Sequence, residues 1–468
     1  MGATPDDLTR SDTEGDPGGY AAALQWLYSR TRSGGKRTSA RAAKLLRELG
    51  LAPPPVTAVV VGTNGKGTVS AMLARGLSAA GARTGRFLSP HVEEFRERVA
   101  IDGVPVSKAA LVAFVERARR LDDAWPHGED LRPAFFEWTL AFALEQFAAA
   151  TDACVLEAGV GGLHDATRAV EPVGLVVLTN VDLDHMDTLG TTLTAIASDK
   201  AGAFRAGVPV VCGASQPEVV AVAARSAAEL GAPFHLDPYA AVQPPGSGGG
   251  ARCAPVAGDE GLFELPRDVA ADLAASPAGV ASGALAGANA NRRANSRLAA
   301  AALRLLGARE PAVAAGLRAP ALPARFERFI LPGEHGRQLL VVLDGAHDPA
   351  AAARLASEVA PGYALLFGAL ARKQGQRVLD TLAPNASTVI VTEAASGETP
   401  TARWPGARVV SDTAAALATA ADAAHVAGAP LLLVAGSLYL AGLVRPLLTR
   451  RGVRLSDPWE RRAVEDRS

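Results

Sequence analysis

Val59-Val60-Val61-Gly62-Thr63-Asn64-Gly65-Lys66-Gly67-Thr68 runs directly into the helical pattern Val69-Ser70-Ala71-Met72-Leu73. A β-branched run, a glycine-rich turn with one lysine and a closing hydroxyl, and then a helix together make an anion cradle for phosphates. Glycines let backbone N–H groups turn inward without a Cβ clash, the helix N-terminus adds partial positive charge, and Lys66 can reach the outer phosphates. Thr68 would then face a magnesium ion. The plainer reading is an ordinary glycine-containing strand-to-helix turn. The spelling also departs from the common P-loop pattern, because Gly67 separates Lys66 from Thr68 and no glycine stands five residues before Gly65.

Outward from this stretch, the 468 residues exceed the roughly 250–300 at which one core stops growing, so two or three domains are expected. A formal charge of −1 and a pI near 6.7 argue against nucleic-acid or membrane-surface partners, which a near-neutral field would not hold. Phosphate affinity is left to local groups. Cys154, Cys212 and Cys253 are scattered without metal-ligand spacing and read as reduced thiols of a cytoplasmic protein. Residues 1–19 are acidic and rich in Asp, Thr and Gly, without the basic start or apolar stretch of an export signal, and read as a disordered leader. Residues 426–444 are uncharged and long enough to raise the question of a membrane span, but Pro430, Gly436 and Ser437 cut them into strand, turn and helix start.

Residues 20–30 and 39–49 carry helical patterns, and Pro53-Pro54-Pro55 stops the second and delivers the chain to the strand before the loop. A helix to Ala80 and a strand at 83–88 complete a βαβ unit, which predicts a parallel sheet. Ser89-Pro90-His91 follows, at the carboxyl end where such sheets place ligands; a plain loop serine is the equal alternative. Residues 108–121 and 135–149 read as amphipathic helices. Cys154 to Glu157 is a buried strand ending in a carboxylate, and an isolated buried charge is too costly, so Glu157 is paired or metal-bound, with magnesium the favoured partner. A strand at 173–179 leads to Asn180, Asp182, Asp184, His185 and Asp187, which form either a hard-cation environment or a structural histidine held by an aspartate. Lys200 lies in the helical stretch 193–204, where lysine is ordinarily a solvated charge. Strand and helix alternate to 236, low-complexity stretches occupy 246–250 and 276–287, and a long helix spans 292–306. Prolines and glycines in 307–323 read as a domain boundary. Beyond it strands at 339–343, 363–367, 388–392 and 431–435 alternate with helices at 350–360, 375–382 and 438–448. The expected fold is α/β: a P-loop-type ATPase domain with a parallel-rich sheet at 20–312, and a smaller Rossmann-like α/β domain at 313–468.

Gly-Thr-Asn-Gly-Lys-Gly-Thr resembles the ATP loop of the Mur ligase superfamily, most closely its folylpolyglutamate synthase and dihydrofolate synthase branch. Further short stretches fall in that family's order: Ser89-Pro90-His91 with Phe95, Glu97 and Arg98; Phe135-Phe136-Glu137; Thr179-Asn180 with Leu183-Asp184-His185; Lys200-Ala201-Gly202; Arg325-Phe326-Glu327; Leu343-Asp344-Gly345-Ala346-His347; and Gly436-Ser437-Leu438-Tyr439-Leu440. The resemblance implies two magnesium ions, one held by Thr68, Ser89 and Glu157, the other by His185 and a Lys200 carbamylated by carbon dioxide. It puts Ser89 to Arg98 near a pterin substrate and Asn295 on adenine. It has Arg325 contact ATP phosphate across a cleft, while Asp344 and His347 hold ribose and base. The bland alternatives are surface ion pairs for Arg325 and Asp344, and a helix cap for His347.

Several positions depart from the family pattern. Leu163, His164 and Arg168 stand in a turn that elsewhere carries arginine and asparagine, Asn291 and Arg292 replace a His-Gln pair, Asp348 replaces asparagine, and Arg372-Lys373-Gln374 replaces Asp-Lys-Asp. The implied activity is an ATP-dependent, ADP-forming ligase in which the γ-phosphoryl group converts an acid to an acyl phosphate that an amine then captures. The implied pair is L-glutamate with dihydropteroate or a folate, on a monomer with no nucleic-acid or membrane partner. Same-chemistry ligation of another acid and amine, and nucleotide binding without ligation, are the competing readings.

Overall fold

The computed structural model describes residues 19–30, 37–126, 131–240, 259–274, 284–285, 289–332, 337–370, 374–394 and 403–455. The expected leader, apart from Gly19, lies outside these residues, as do the stretch 246–250, most of 276–287, and Arg372 and Lys373. The described residues fall into two compact units. One contains those up to Val269 together with Ala294–Ala319, and the other contains Ala270–Arg293 and those from Pro320 onward.

The first unit is built on eight strands: β1 (Val56–Val61), β2 (Thr84–Phe87), β3 (Val99–Ile101), β4 (Val104–Pro105), β5 (Ala153–Glu157), β6 (Leu175–Leu178), β7 (Val210–Cys212) and β8 (Phe234–Leu236), in spatial order β4-β3-β2-β5-β1-β6-β7-β8. β1 lies between β5 and β6, parallel to both. A strand covered on both faces reads as a continuous apolar run instead of an alternating one, and Val59, Val60 and Val61 are all 0% exposed. The expectation of a parallel sheet holds from β2 to β8, whereas β3 and β4 form an antiparallel edge.

Helix Phe135–Ala148 covers one face, with Phe147 so close to β2 that a Cβ at Gly85 would overlap its ring. Trp138, Phe87, Phe114, Phe142 and Phe147 are fully buried in this core. Burying each such side chain contributes roughly 1.5–3 kcal/mol. The phosphate-loop helix, Lys66–Ala79, packs against helix Glu310–Leu317, which falls within the stretch expected to be only a boundary. Pro311 lies in the first turn of that helix and does not break it, because the first four N–H groups of a helix have no intrahelical acceptor to lose.

The second unit carries β9 (Glu327–Pro332), β10 (Gln338–Leu343), β11 (Tyr363–Phe367), β12 (Ala386–Val391), β13 (Arg408–Val409), β14 (Leu432–Ala435) and β15 (Val453–Arg454), in order β13-β12-β11-β14-β10-β9-β15. β10 to β14 are parallel, and β9 turns back antiparallel on β10 and takes β15 on its outer edge. Gly436, at φ +117°, separates β14 from helix Leu438–Arg451, and among the described residues no helix is long and apolar enough to cross a membrane.

Candidate active site

In the first unit the carboxyl ends of four adjacent strands, β2, β5, β1 and β6, deliver Ser89, Glu157, the Gly62–Gly65 turn and Thr179-Asn180. Open α/β sheets bind ligands at such ends. Gly62 (φ +146°) and Gly65 (φ +82°) take conformations that favour glycine, and a Cβ would overlap Thr179 Oγ1 at Gly62 and Asn295 Oδ1 at Gly65. The turn is tied down from β6: Asn64 N–H donates to Asn180 Oδ1 at 2.8 Å, Thr63 N–H to the Asn180 carbonyl at 3.0 Å, and Thr179 Oγ1 to the Asn64 carbonyl at 2.6 Å. These holds leave Asn64 Nδ2 buried with no acceptor among the described residues.

Two amines converge on one carbonyl of the turn. Lys66 Nζ donates to the Gly62 and Thr63 carbonyls at 3.2 and 2.9 Å, and Lys200 Nζ donates to the Gly62 carbonyl at 2.8 Å. Lys200 is only 2% exposed, so it is not the solvated charge its helix position suggests. Burial above all, then Lys66, lowers its pKa to about 7, against the pull of Asp184, Asp199 and Asp165. Thr68 lies in the first turn of the helix that Lys66 and Gly67 begin.

Glu157 is 5% exposed, and its Oε2 accepts the Ser89 N–H at 3.1 Å, which sets the serine beside the carboxylate. Arg86 of β2 lies in the field of Glu157 and Glu97. Burial pushes its guanidinium down from the ordinary value while those carboxylates pull it back. The glycine-rich turn after β5 wraps around Asp165, which accepts from Gly159 and Val160 N–H at 3.0 Å each and from Thr167 Oγ1 at 2.7 Å; burial raises its pKa in spite of these bonds. Asp199 takes the Gly162 N–H at 2.8 Å, and Arg37 donates to the Val160 carbonyl. His185 has φ +51°, with Nε2 3.4 Å from Asp184 Oδ2, while Asp187 is exposed and Asp182 is joined through its N–H to Thr63 Oγ1 at 3.0 Å.

Around Ser89 to Arg98, His91 accepts from Arg98 Nε on Nδ1 at 2.8 Å, and Arg98 lies over Phe135 and Phe95. Burial first, then Arg98, holds the His91 pKa well below the ordinary histidine value, so the ring is neutral. Tyr28 stacks on Phe135, and Phe136 fills the space that a Cβ at Gly159 would need.

In the second unit Asp344 follows β10, and its two oxygens accept Phe326 N–H at 2.7 Å and Ala346 N–H at 2.8 Å. Its pKa is raised by burial, with Arg325 opposing. His347 Nδ1 lies 2.9 Å from the Gly345 carbonyl, and the cap of the next helix is Asp348, whose Oδ1 accepts from Ala351 N–H at 2.8 Å. Among the departures, Asn291 gives its N–H (3.1 Å) and Nδ2 (2.8 Å) to Glu358, and Leu163 is 46% exposed. Sequence reasoning gave no structural role to Asp165, Asp199 or Arg86. Burial and long-range contact set them apart, and neither shows in residue spacing.

The Gly62–Gly65 cradle, an acceptorless buried amide and two converging amines fit a polyphosphate. A buried carboxylate beside a hydroxyl residue fits a hard cation.

No protein-family model matches the chain. It is 36% identical over 218 residues to a dihydrofolate synthase/folylpolyglutamate synthase of Bacillus subtilis, a match covering 46% of this chain and 50% of the relative. It is 33% identical over 469 residues to a probable bifunctional folylpolyglutamate synthase/dihydropteroate synthase of Haloferax volcanii, covering 96% of this chain and 52% of that protein. The chain therefore spans about half the length of these curated relatives. Among solved structures, a Yersinia pestis bifunctional folylpolyglutamate synthase/dihydrofolate synthase complexed with AMPPNP and Mn superposes with a TM-score of 0.67 at 28% identity, covering 93% of this chain and 98% of that one. With two sheets, a glycine cradle and matches of this extent, the chain is similar over most of its length to folylpolyglutamate synthase/dihydrofolate synthase proteins.

Proposed function

We propose that the chain is a monomeric, cytoplasmic, ATP-dependent and ADP-forming ligase that joins L-glutamate to dihydropteroate or to a folate γ-carboxylate. The observation that carries the chemistry is the meeting of Lys66 and Lys200 at the Gly62 carbonyl, beneath a turn with an unused buried donor. The acid and the amine come from the relatives' names. A carboxylate does not react with an amine at neutral pH, because hydroxide or oxide is too poor a leaving group. Attack of the acid's oxygen on the γ-phosphorus breaks the bond to ADP and makes an acyl phosphate. The glutamate nitrogen then attacks the acyl carbon, inorganic phosphate leaves, and the nitrogen loses a proton.

The barrier is the approach of two anions, so positive charge must surround the transferring group. Lys66 would exchange the Gly62 and Thr63 carbonyls for phosphate oxygens, Asn64 Nδ2 would gain its missing acceptor, and Asn295 would meet the base. Magnesium, when bound, supplies further positive charge on phosphate oxygens, and Thr68, Ser89 and Glu157 would hold one ion, His185 and Lys200 a second. Lys200 would serve as its carbamate, whose oxygens suit a hard cation better than an amine nitrogen does. An amine lowered to about 7 is substantially neutral at pH 7, and the neutral form is the one that adds carbon dioxide. Arg325, Asp344 and His347 would contact the nucleotide from the second unit, with the Asp344 oxygens already engaged by backbone N–H groups.

The test is incubation with ATP, magnesium, glutamate and dihydropteroate or folate, read by product mass and phosphate release. A glutamylated product lost in Lys66→Ala is expected; neither product nor acceptor-dependent ADP at saturation would overturn the proposal. Ligation of another acid is favoured by Leu163, an exposed apolar side chain where the family has arginine, and a panel of acids distinguishes it. Isotopically labelled bicarbonate tests Lys200, whose carbamate carbon would be lost in Lys200→Met.

A further inference from the structure

Ala324 and Phe326 flank Arg325 and both sit in the left-handed region, at φ +53° and +54°. For a residue as bulky as phenylalanine this is a true outlier, kept only where its surroundings over-determine it. Here they do. Ala324 N–H donates to Glu327 Oε2 at 3.1 Å, the Ala324 carbonyl accepts from Gly345 N–H at 2.9 Å, Arg325 N–H reaches the Leu322 carbonyl at 3.2 Å, and Phe326 N–H reaches Asp344 Oδ2 at 2.7 Å.

Glu327 is the central group of this arrangement. Its side chain is 1% exposed and is gripped from two other elements. Arg445, on helix Leu438–Arg451, donates from Nε to Oε2 at 2.7 Å and from its terminal nitrogen to Oε1 at 2.8 Å, and Arg454, on β15, donates from Nε to Oε1 at 2.9 Å. The carboxylate is therefore fixed before it accepts the strained Ala324 N–H. The Arg325 guanidinium, which the strained turn presents, donates no hydrogen bond to a described residue. A turn held against its own preference by two carboxylates thus carries a cation that has no hydrogen-bond acceptor among the described residues and lies in the field of Asp344.

We infer that Glu327, clamped by Arg445 and Arg454, is a positioning residue that sets the direction of Arg325 toward an anionic ligand, here the polyphosphate of ATP. This rests on the reading of Arg325 as a phosphate contact given under the proposed function. Glu327 touches no reactant. It acts by fixing the backbone on the N-terminal side of Arg325, as Asp344 fixes it on the other side.

The experiment is a double-mutant cycle on the full chain, with the affinity for AMPPNP and magnesium measured by calorimetry. If the clamp acts through Arg325, Glu327→Gln weakens binding about five- to tenfold in the parent background and hardly at all in Arg325→Ala, a coupling expected of residues acting as a unit. In steady state it raises KM for ATP while KM for the acid stays unchanged. An equal loss in both backgrounds makes Glu327 merely structural and overturns the inference, as does parent-like affinity in Glu327→Gln. Undiminished binding in Arg325→Ala removes the phosphate-contact reading itself, and the inference with it. Should Glu327→Gln fail to fold, Arg454→Gln, which loosens the clamp while leaving Arg445 in place, takes its place in the same cycle with a smaller loss in the same direction expected.

Discussion

Asn64 has different duties on its backbone and its side chain. Its N–H and carbonyl are committed to Asn180 and Thr179, which shape the loop, while Nδ2 is buried without an acceptor among the described residues. A buried donor without a partner costs about 1–3 kcal/mol, so that amide does not help the chain to fold. A hydrogen bond from it to a charged phosphate would contribute about 1.5–3 kcal/mol, or roughly ten- to a hundredfold in affinity. Asn64→Ala is accordingly expected to leave the melting temperature unchanged or higher while weakening AMPPNP binding at least about tenfold. Calorimetric titration beside a melting curve checks this; parent affinity with a lowered melting temperature would make the amide part of the scaffold. The residue itself could be picked out in the chain, but its holders could not, since Thr179 and Asn180 lie more than a hundred positions away and meet it only because β6 pairs with β1.

The element that carries Lys66 and Thr68 is held by close helix packing. A Cβ at Gly316 would stand 2.8 Å from the Met72 carbonyl oxygen, and one at Gly76 would stand 2.5 Å from Leu303 Cδ1. Replacing glycine by alanine in a helix ordinarily gains about 1 kcal/mol, whereas overpacking a tight contact costs typically about 1–3 kcal/mol. The obstacle at Gly316 is backbone, which cannot swing aside, so the cost should win. Gly316→Ala is expected to lower the urea midpoint with an unchanged m-value and, by tilting helix Lys66–Ala79, to weaken nucleotide binding. An unchanged or higher midpoint would show that the helices can part without loss. This element also shows where reading from sequence reaches and where it stops. Strand, glycine turn and helix from Val56 to Ala79 follow from β-branched residues, glycines and a helical pattern within one window. Helix Glu310–Leu317 lies among prolines and glycines that look like interruptions, though Pro311 sits in its first turn and Gly316 is its packing surface. β3, β4 and β15 are too short for periodicity to register, and β9 joins the sheet by turning back antiparallel on its neighbour β10, which a pattern of parallel strands and helices does not announce.

Across the whole molecule the response to pH should have two limbs of opposite sign. Lys200, in the first unit, has its pKa lowered to about 7 from 10.5 by burial and Lys66. Between those values the unfolded chain binds more protons than the folded one, so this group makes stability rise with pH from about 7 upward. Glu358, in the second unit, has its pKa raised to about 7 from 4.5, chiefly by burial and further by Asp344, while the two Asn291 bonds oppose the shift. There the folded chain binds more protons between 4.5 and about 7, and stability falls as pH rises through that window. The two groups act on either side of neutrality, and because His91, with its pKa lowered by burial, opposes Glu358 below 6.5, each limb is read from the difference between parent and variant. In buffers freed of carbon dioxide, Lys200→Met should flatten the rise above pH 7 without touching the fall below it. Glu358→Gln, which keeps an oxygen for the Asn291 N–H and amide, should flatten the fall and leave the rise. Urea midpoints from pH 5 to about 10 read both limbs; if either variant keeps the parent slope in its own window, that group's burial is not what couples protons to folding.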